Sequence, residues 1–171
     1  MKPPPPSAVL EWSYYKAEER MPLLNYTTTV SADKSVAAIQ KALAKAGASA
    51  ILHEFDDNGN IMSLSFRIKM PSPDAGGEVH DVSFRLPTDW RAVQRRLQTQ
   101  RVEPRYRTQE HALRVAWRIT KDWVEVQLAI IESQMVTTAQ VFLPYAVTSN
   151  GQTLYEYIGQ NTQLLLGDGS K

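Results

Sequence analysis

The stretch SAILHEFDDNGNIMSLSFRIKM, Ser49 to Met70, decides how this chain folds. Two apolar runs, Ser49 to Phe55 and Ile61 to Met70, flank Asp56-Asp57-Asn58-Gly59-Asn60. An Asn-Gly pair between such runs predicts a hairpin, because both residues tolerate the positive φ of a tight turn. In the second run Met62, Leu64, Phe66, Ile68 and Met70 share one parity and Ser63, Ser65, Arg67 and Lys69 the other, so one face packs while the opposite face meets water. Beyond a breaker-rich loop, Pro71 to Gly77, the segment Val79 to Leu86 repeats the alternation. Val82, Phe84 and Leu86 point inward there, and Ser83 and Arg85 outward. Both connections are short, which predicts antiparallel pairing.

Working outward, Tyr26 to Val30 is a β-branched run that predicts a first strand. Ser31 then caps a helix in which Val36, Ile39, Leu43 and Ala46 recur at helical spacing, with Gly47 at the left-handed residue that ends it. On the other side, Asp89 to Gln100 places Trp90, Val93 and Leu97 three and four residues apart, as a shorter helix does. Val102-Glu103-Pro104 is a break, and Thr108 caps a long helix running to about Val136 through Leu113, Trp117, Val124, Leu128, Ile131 and Met135. Because Ile119, Trp123, Val126 and Ile130 widen its apolar surface, this helix must contact the sheet and a second body, either the C-terminal segment or another copy of the chain. The fold class is therefore α+β: an antiparallel sheet in the order strand-helix-strand-strand-strand, followed by a short helix and one long helix packed on the sheet.

A chain of 171 residues is about one domain long and can bury a core without disulfides or metals. Residues 1–24 form a proline-rich, aromatic N-terminal arm, in which Ala8 to Arg20 carries Trp12, Tyr14 and Tyr15 on a short helix. Residues 25–160 form a single α+β domain, and residues 161–171 a flexible tail. Cysteine is absent, which removes disulfide scaffolds, thiol nucleophiles and cysteine zinc sites. Met1-Lys2-Pro3 lacks the apolar core of a secretory signal, and no run approaches eighteen apolar residues. The expectation is a soluble, cytoplasmic protein with no membrane partner.

Charge is the most directional functional signal. Residues 91–122 hold nine basic residues against Glu103, Glu110 and Asp122, a formal +6, which leaves −5 for the rest of a chain whose net charge is +1. Eight of the nine are arginine, whose planar guanidinium pairs bidentately with phosphate or carboxylate. The clusters are Arg91, Arg95 and Arg96 on the shorter helix, Arg101, Arg105 and Arg107 around the break, and Arg114, Arg118 and Lys121 on one stripe of the long helix. Against this stands a solvated helical face with internal pairs such as Arg118 with Asp122 and Arg107 with Glu110. Tyr106, between two arginines, is the candidate for base stacking, weighed against a packed tyrosine.

The run from Pro104-Arg105-Tyr106-Arg107-Thr108 through Arg114-Val115-Ala116-Trp117-Arg118-Ile119 to Lys121-Asp122-Trp123-Val124-Glu125 resembles a family of small proteins encoded by phages, prophages and other mobile elements. Val141-Phe142-Leu143-Pro144-Tyr145 and Tyr26-Thr27-Thr28-Thr29 share the resemblance, which covers roughly Tyr26 to Ile158. That family has no established activity, so the resemblance implies a mobile-element context and supplies no catalytic residues.

No catalytic residue, metal ligand or cofactor is expected. His53, His80 and His111 are isolated, and no GxSxG, phosphate-loop or dinucleotide pattern occurs. Glu54, Asp56, Asp57, Glu78 and Asp81 hold open a metal-dependent nuclease, against the ordinary turn chemistry of acids beside Asn-Gly. The function expected is a non-enzymatic nucleic-acid-binding accessory protein of a phage or mobile element, contacting backbone phosphates of single- or double-stranded nucleic acid with weak sequence preference through Arg95, Arg96, Arg105, Tyr106, Arg107, Arg114 and Arg118. The alternative is a protein-interaction or structural subunit, a phage assembly component or an inhibitor of a host protein, meeting an acidic surface or a second copy through the long helix and the aromatic arm.

Overall fold

The computed structural model describes residues 22–71 and 78–161. The predicted helix at Ala8 to Arg20 and the tail beyond residue 161 lie outside the described residues, as does most of the loop Pro71 to Gly77. The elements run α1 (Ala32–Lys45), β1 (Ala50–Phe55), β2 (Ile61–Pro71), β3 (Val79–Arg85), α2 (Trp90–Thr99), a 3-10 turn (Pro104–Tyr106), α3 (Gln109–Glu132), α4 (Thr138–Phe142), a second 3-10 turn (Leu143–Tyr145) and α5 (Leu154–Gln160). This is an α+β fold built on one antiparallel sheet in the order β1-β2-β3.

The local signals behave as their chemistry requires. At the hairpin, the Asp56 carboxylate accepts from the backbone N–H groups of Asn58 and Asn60 at 2.9 and 2.8 Å, while Gly59 takes φ 78°. Those bonds, with the Asn60 side chain first among them, hold the Asp56 carboxyl below the ordinary aspartate value. Ser31, Asp89 and Thr108 cap α1, α2 and α3 through their side-chain oxygens, and Gly47 sits at φ 95° after α1.

Leu64, Phe66, Phe84 and Leu86 on the inner sheet face are buried against Val36, Ile39 and Leu43 of α1 and Leu113, Ala116 and Trp117 of α3. The Trp117 indole N–H donates to the Ile61 carbonyl at 2.9 Å and so ties the middle of α3 to the start of β2. Helix α3 packs chiefly against α1 and α2, and the C-terminal segment covers it at Trp123. Phe142, fully buried, stands edge-on to Phe66 at 5.3 Å and to Trp123 at 5.8 Å, and Trp123 also meets Tyr145 at 5.4 Å. The chain after Tyr145 then bridges the edge of β3, where the Val147 N–H donates to the Ser83 carbonyl at 2.8 Å.

One predicted strand is not a strand. Tyr26 to Val30 begins inside a turn in which Asn25 has φ 60°, and its backbone N–H groups are spent locally, Tyr26 donating to the Leu23 carbonyl, Thr28 to the Asn25 carbonyl and Val30 to the Thr28 hydroxyl. The Asn25 amide donates to Asp122 at 2.8 Å, and the Tyr26 carbonyl meets the buried His111 ring. β-propensity expresses packing on a pleated surface, and here the tertiary contacts with a helix prevail. Helix α3 also ends at Glu132, short of Val136, with Gln134 in the left-handed region just beyond it.

Candidate nucleic-acid interface

Helix α3 does bring Arg114, Arg118 and Lys121 onto one stripe, but Glu110, Asp122 and Glu125 share it. Arg114 pairs with Glu110, Arg118 Nε stands 3.6 Å from Asp122, and Lys121 Nζ lies 2.6 Å from Glu125 and 3.3 Å from Asp122. Three cations thus alternate with three carboxylates, and the stripe expected to be basic has no net formal charge. The hydrogen bond to Glu125 chiefly holds the Lys121 ammonium above the ordinary lysine value; partial burial works against it, and the bond to Asp122 adds to it. Glu125 lies one turn beyond Lys121, outside the segment whose charge stood out in the sequence. Arg114 and Arg118 are therefore members of an internal charge ladder.

The residues around the break divide similarly. Arg107 is half-buried, its Nε donating to the Val102 carbonyl while its own carbonyl accepts from Gln94 Nε2 at 3.0 Å, so it clamps α2 to the following turn and does not meet Glu110. Tyr106 is half-buried between Tyr26, edge-on at 5.6 Å, and His111 at 5.0 Å, with the Arg105 guanidinium over its ring at 4.7 Å. It is a packed tyrosine, and a base has no free ring there to stack on. Arg96 is half-buried and engaged within the fold.

What stays in water is Arg95 and Arg105, with side chains 68% and 67% exposed. Arg91, over the Trp90 ring at 4.8 Å, and Arg101, at φ 52° where α2 ends, are exposed beside them in sequence. Their local acids are two: Asp89, 3.9 Å from Arg95, and Glu103, 2.9 Å from Arg105. Pairs this exposed are worth about 0–1 kcal/mol and exchange readily for another anion. The capping role of Asp89, which accepts from the Arg91 and Ala92 N–H groups at 2.9 and 3.2 Å, further commits that carboxylate to the backbone. Four exposed arginines thus remain on α2 and the turn after it, two of them nominated from sequence and two not. Arg91 and Arg101 carried the same signal as their neighbours; only exposure separates them from Arg96 and Arg107.

The carboxylates considered for metal chemistry have other partners. Glu54 accepts from the Ser63 hydroxyl and Asp56 serves the turn. Among the described residues no three of His, Asp and Glu gather as a metal-ligand group. No helix among the described residues is long and apolar enough to cross a membrane. A groove of about 400 Å³ lies between the C-terminal halves of α1 and α3, lined by Ala42, Ala46, Leu128, Ala129 and Ile131 together with Lys45, Glu125 and Glu132.

No protein-family model, curated protein or solved structure matches the chain.

Proposed function

We propose that this protein is a non-enzymatic nucleic-acid-binding accessory protein of a phage or mobile element, holding backbone phosphates on α2 and the turn that follows it. The observation that carries this reading is the exposed set Arg91, Arg95, Arg101 and Arg105, which meets only Asp89 and Glu103 locally. Guanidinium groups in open water exchange weak carboxylate contacts for phosphate, and the counterions released supply the affinity. Contacts to backbone phosphate position a protein without specifying sequence, which favours weak sequence preference. The mobile-element context rests on the resemblance carried by residues 104–125 and 141–145. Fluorescence anisotropy with single- and double-stranded oligonucleotides over a salt series tests the reading; absence of salt-sensitive binding at low salt overturns it.

A second reading, a protein-interaction subunit, is favoured by apolar exposure along and beyond α3. Val126 is 54% exposed and Met135 75%, and the groove beside α1 lies on the same helix. Among the described residues these side chains are left largely uncovered, as those of an interface between chains are. In this version a Val126→Glu substitution lowers the mass measured in solution, whereas a monomer that binds oligonucleotides leaves the first reading alone.

A further inference from the structure

The outer face of the sheet carries a second cationic block, made by strands. Ser65 on β2 stands opposite Arg85 on β3, and Arg67 stands opposite Ser83. Arg67 and Arg85 are therefore diagonal neighbours, with two serine hydroxyls on the other diagonal. Diagonal positions on an antiparallel pair are about 7–8 Å apart, close enough for two guanidinium forks to meet one anion between them. These four residues line a single depression of about 230 Å³ with Leu52 and Val147 beside them.

Among the described residues the fold uses few of the donors gathered there. Among the described residues the Arg67 guanidinium has no carboxylate partner and neither serine side chain makes a hydrogen bond. Arg85 donates one Nη2 bond to the Gly151 carbonyl at 3.2 Å, and its buried Nε–H finds no acceptor. Buried donors are almost always satisfied, so an unsatisfied one beside an open depression calls for an explanation. Glu54 also lines the depression with its carboxylate engaged by Ser63, and the Glu156 carboxylate acts on Arg85 through its charge, so the block is distinguished by its unspent donors and not by net charge.

We propose that this block is a binding site for one phosphate group. A carboxylate has two oxygens in one plane and a single fork satisfies them, whereas a tetrahedral phosphate uses donors arriving from several sides. Two forks and two hydroxyls on opposite diagonals suit the second. The depression is also smaller than the ~300–1,000 Å³ of pockets that enclose drug-sized ligands, so it takes a group and not a whole molecule. That group is either a backbone phosphodiester or the phosphate of a small molecule. Six residues of chain lead from Arg85 to Arg91, which places the two surfaces at most about 20 Å apart. A strand held on α2 can therefore reach the sheet, though the site does not depend on that reading.

The test is an NMR titration of the arginine Nε–H signals in the full chain, with inorganic phosphate, then adenosine monophosphate, then an oligonucleotide, at constant ionic strength set with chloride. The Arg67 and Arg85 signals are expected to move saturably with phosphate, and Arg67→Gln, at an exposed position, to weaken that affinity roughly tenfold. Arg85→Lys, which keeps the charge and removes the fork, is expected to weaken it as well. An oligonucleotide that shifts these signals together with those of Arg95 and Arg105 identifies the backbone as the source; small phosphates acting alone identify a free ligand. No saturable shift at Arg67 and Arg85 with any of the three, or unchanged phosphate affinity in both variants, overturns the site. Loss of the Arg95 and Arg105 shifts alone would instead count against the helical interface.

Discussion

Replacing Arg95 and Arg105 together by alanine is expected to halve the salt dependence of oligonucleotide binding, because the structure leaves four guanidiniums on α2 and its turn free to meet phosphate. Neutralising about four phosphates gives a slope of about −3.6 for log affinity against log salt on duplex DNA, and about −2.8 on a single strand. Between 50 and 200 mM salt the wild-type chain should lose about 150-fold in duplex affinity. With two arginines removed the slope falls to about −1.8 and the loss over the same range to about 12-fold. The control is Arg114→Ala with Arg118→Ala, which removes the same charge from the ladder on α3. Those two side chains already face Glu110 and Asp122, so the slope should stay within about 0.5 of wild type. Anisotropy titrations at five or six salt concentrations measure both variants against the parent. A control variant that flattens the slope as much as the α2 variant would refute the division of the arginines, and a wild-type slope shallower than about −1 would refute the interface itself.

The remaining expectations concern what holds these surfaces in place. Phe142→Ala should cost about 3–5 kcal/mol, read from the urea midpoint, because Phe142 is fully buried against Phe66, Phe84 and Trp123; a cost under about 1 kcal/mol would mean that the C-terminal segment is not part of the core. Trp117→Phe should cost about 1–3 kcal/mol by leaving the half-buried Ile61 carbonyl without its indole donor, with a near-zero change speaking against that bond. Thr153 and Glu156 form a capping box at the start of α5, and the Thr153 backbone N–H holds the Glu156 carboxyl below the ordinary glutamate value. A carboxyl lowered by folding adds stability above its unfolded pKa and loses it as pH falls through the folded value, so melting temperature should decline below about pH 4; Thr153→Ala, which keeps that backbone N–H and loses the cap hydroxyl, should remove about 1 kcal/mol at pH 7, and Glu156→Gln should make the decline shallower.

Much of this fold is legible residue by residue because the decisive signals are local. The hairpin needs only Asn58-Gly59, an acid that can serve the turn, and a run of side chains with period two. The starts of α1, α2 and α3 need only a capping oxygen and the apolar spacing after it. Tyr26 to Val30 misleads for the opposite reason: its β-branched composition is local, but in the folded chain it opens within a turn and its Tyr26 carbonyl meets His111 from far along the sequence. The ladder on α3 was partly legible, since Arg118 and Asp122 stand four apart, but counting charge over a segment that ended at Asp122 left out Glu125, which binds Lys121 most closely.

From its residues alone the chain determined an antiparallel sheet with one apolar face, three helices, two of them with their caps, and a concentration of arginine between the third strand and the long helix. These follow from dihedral preference, periodicity and formal charge, which act over a few residues. The tertiary structure decided which arginines remain in solvent, that Tyr106 is packed, that the C-terminal segment covers α3, and that Arg67 and Arg85 stand on one diagonal. Those outcomes depend on strand register, on helix faces and on which neighbour reaches a polar group first, and such distances exist only once the chain has closed on itself.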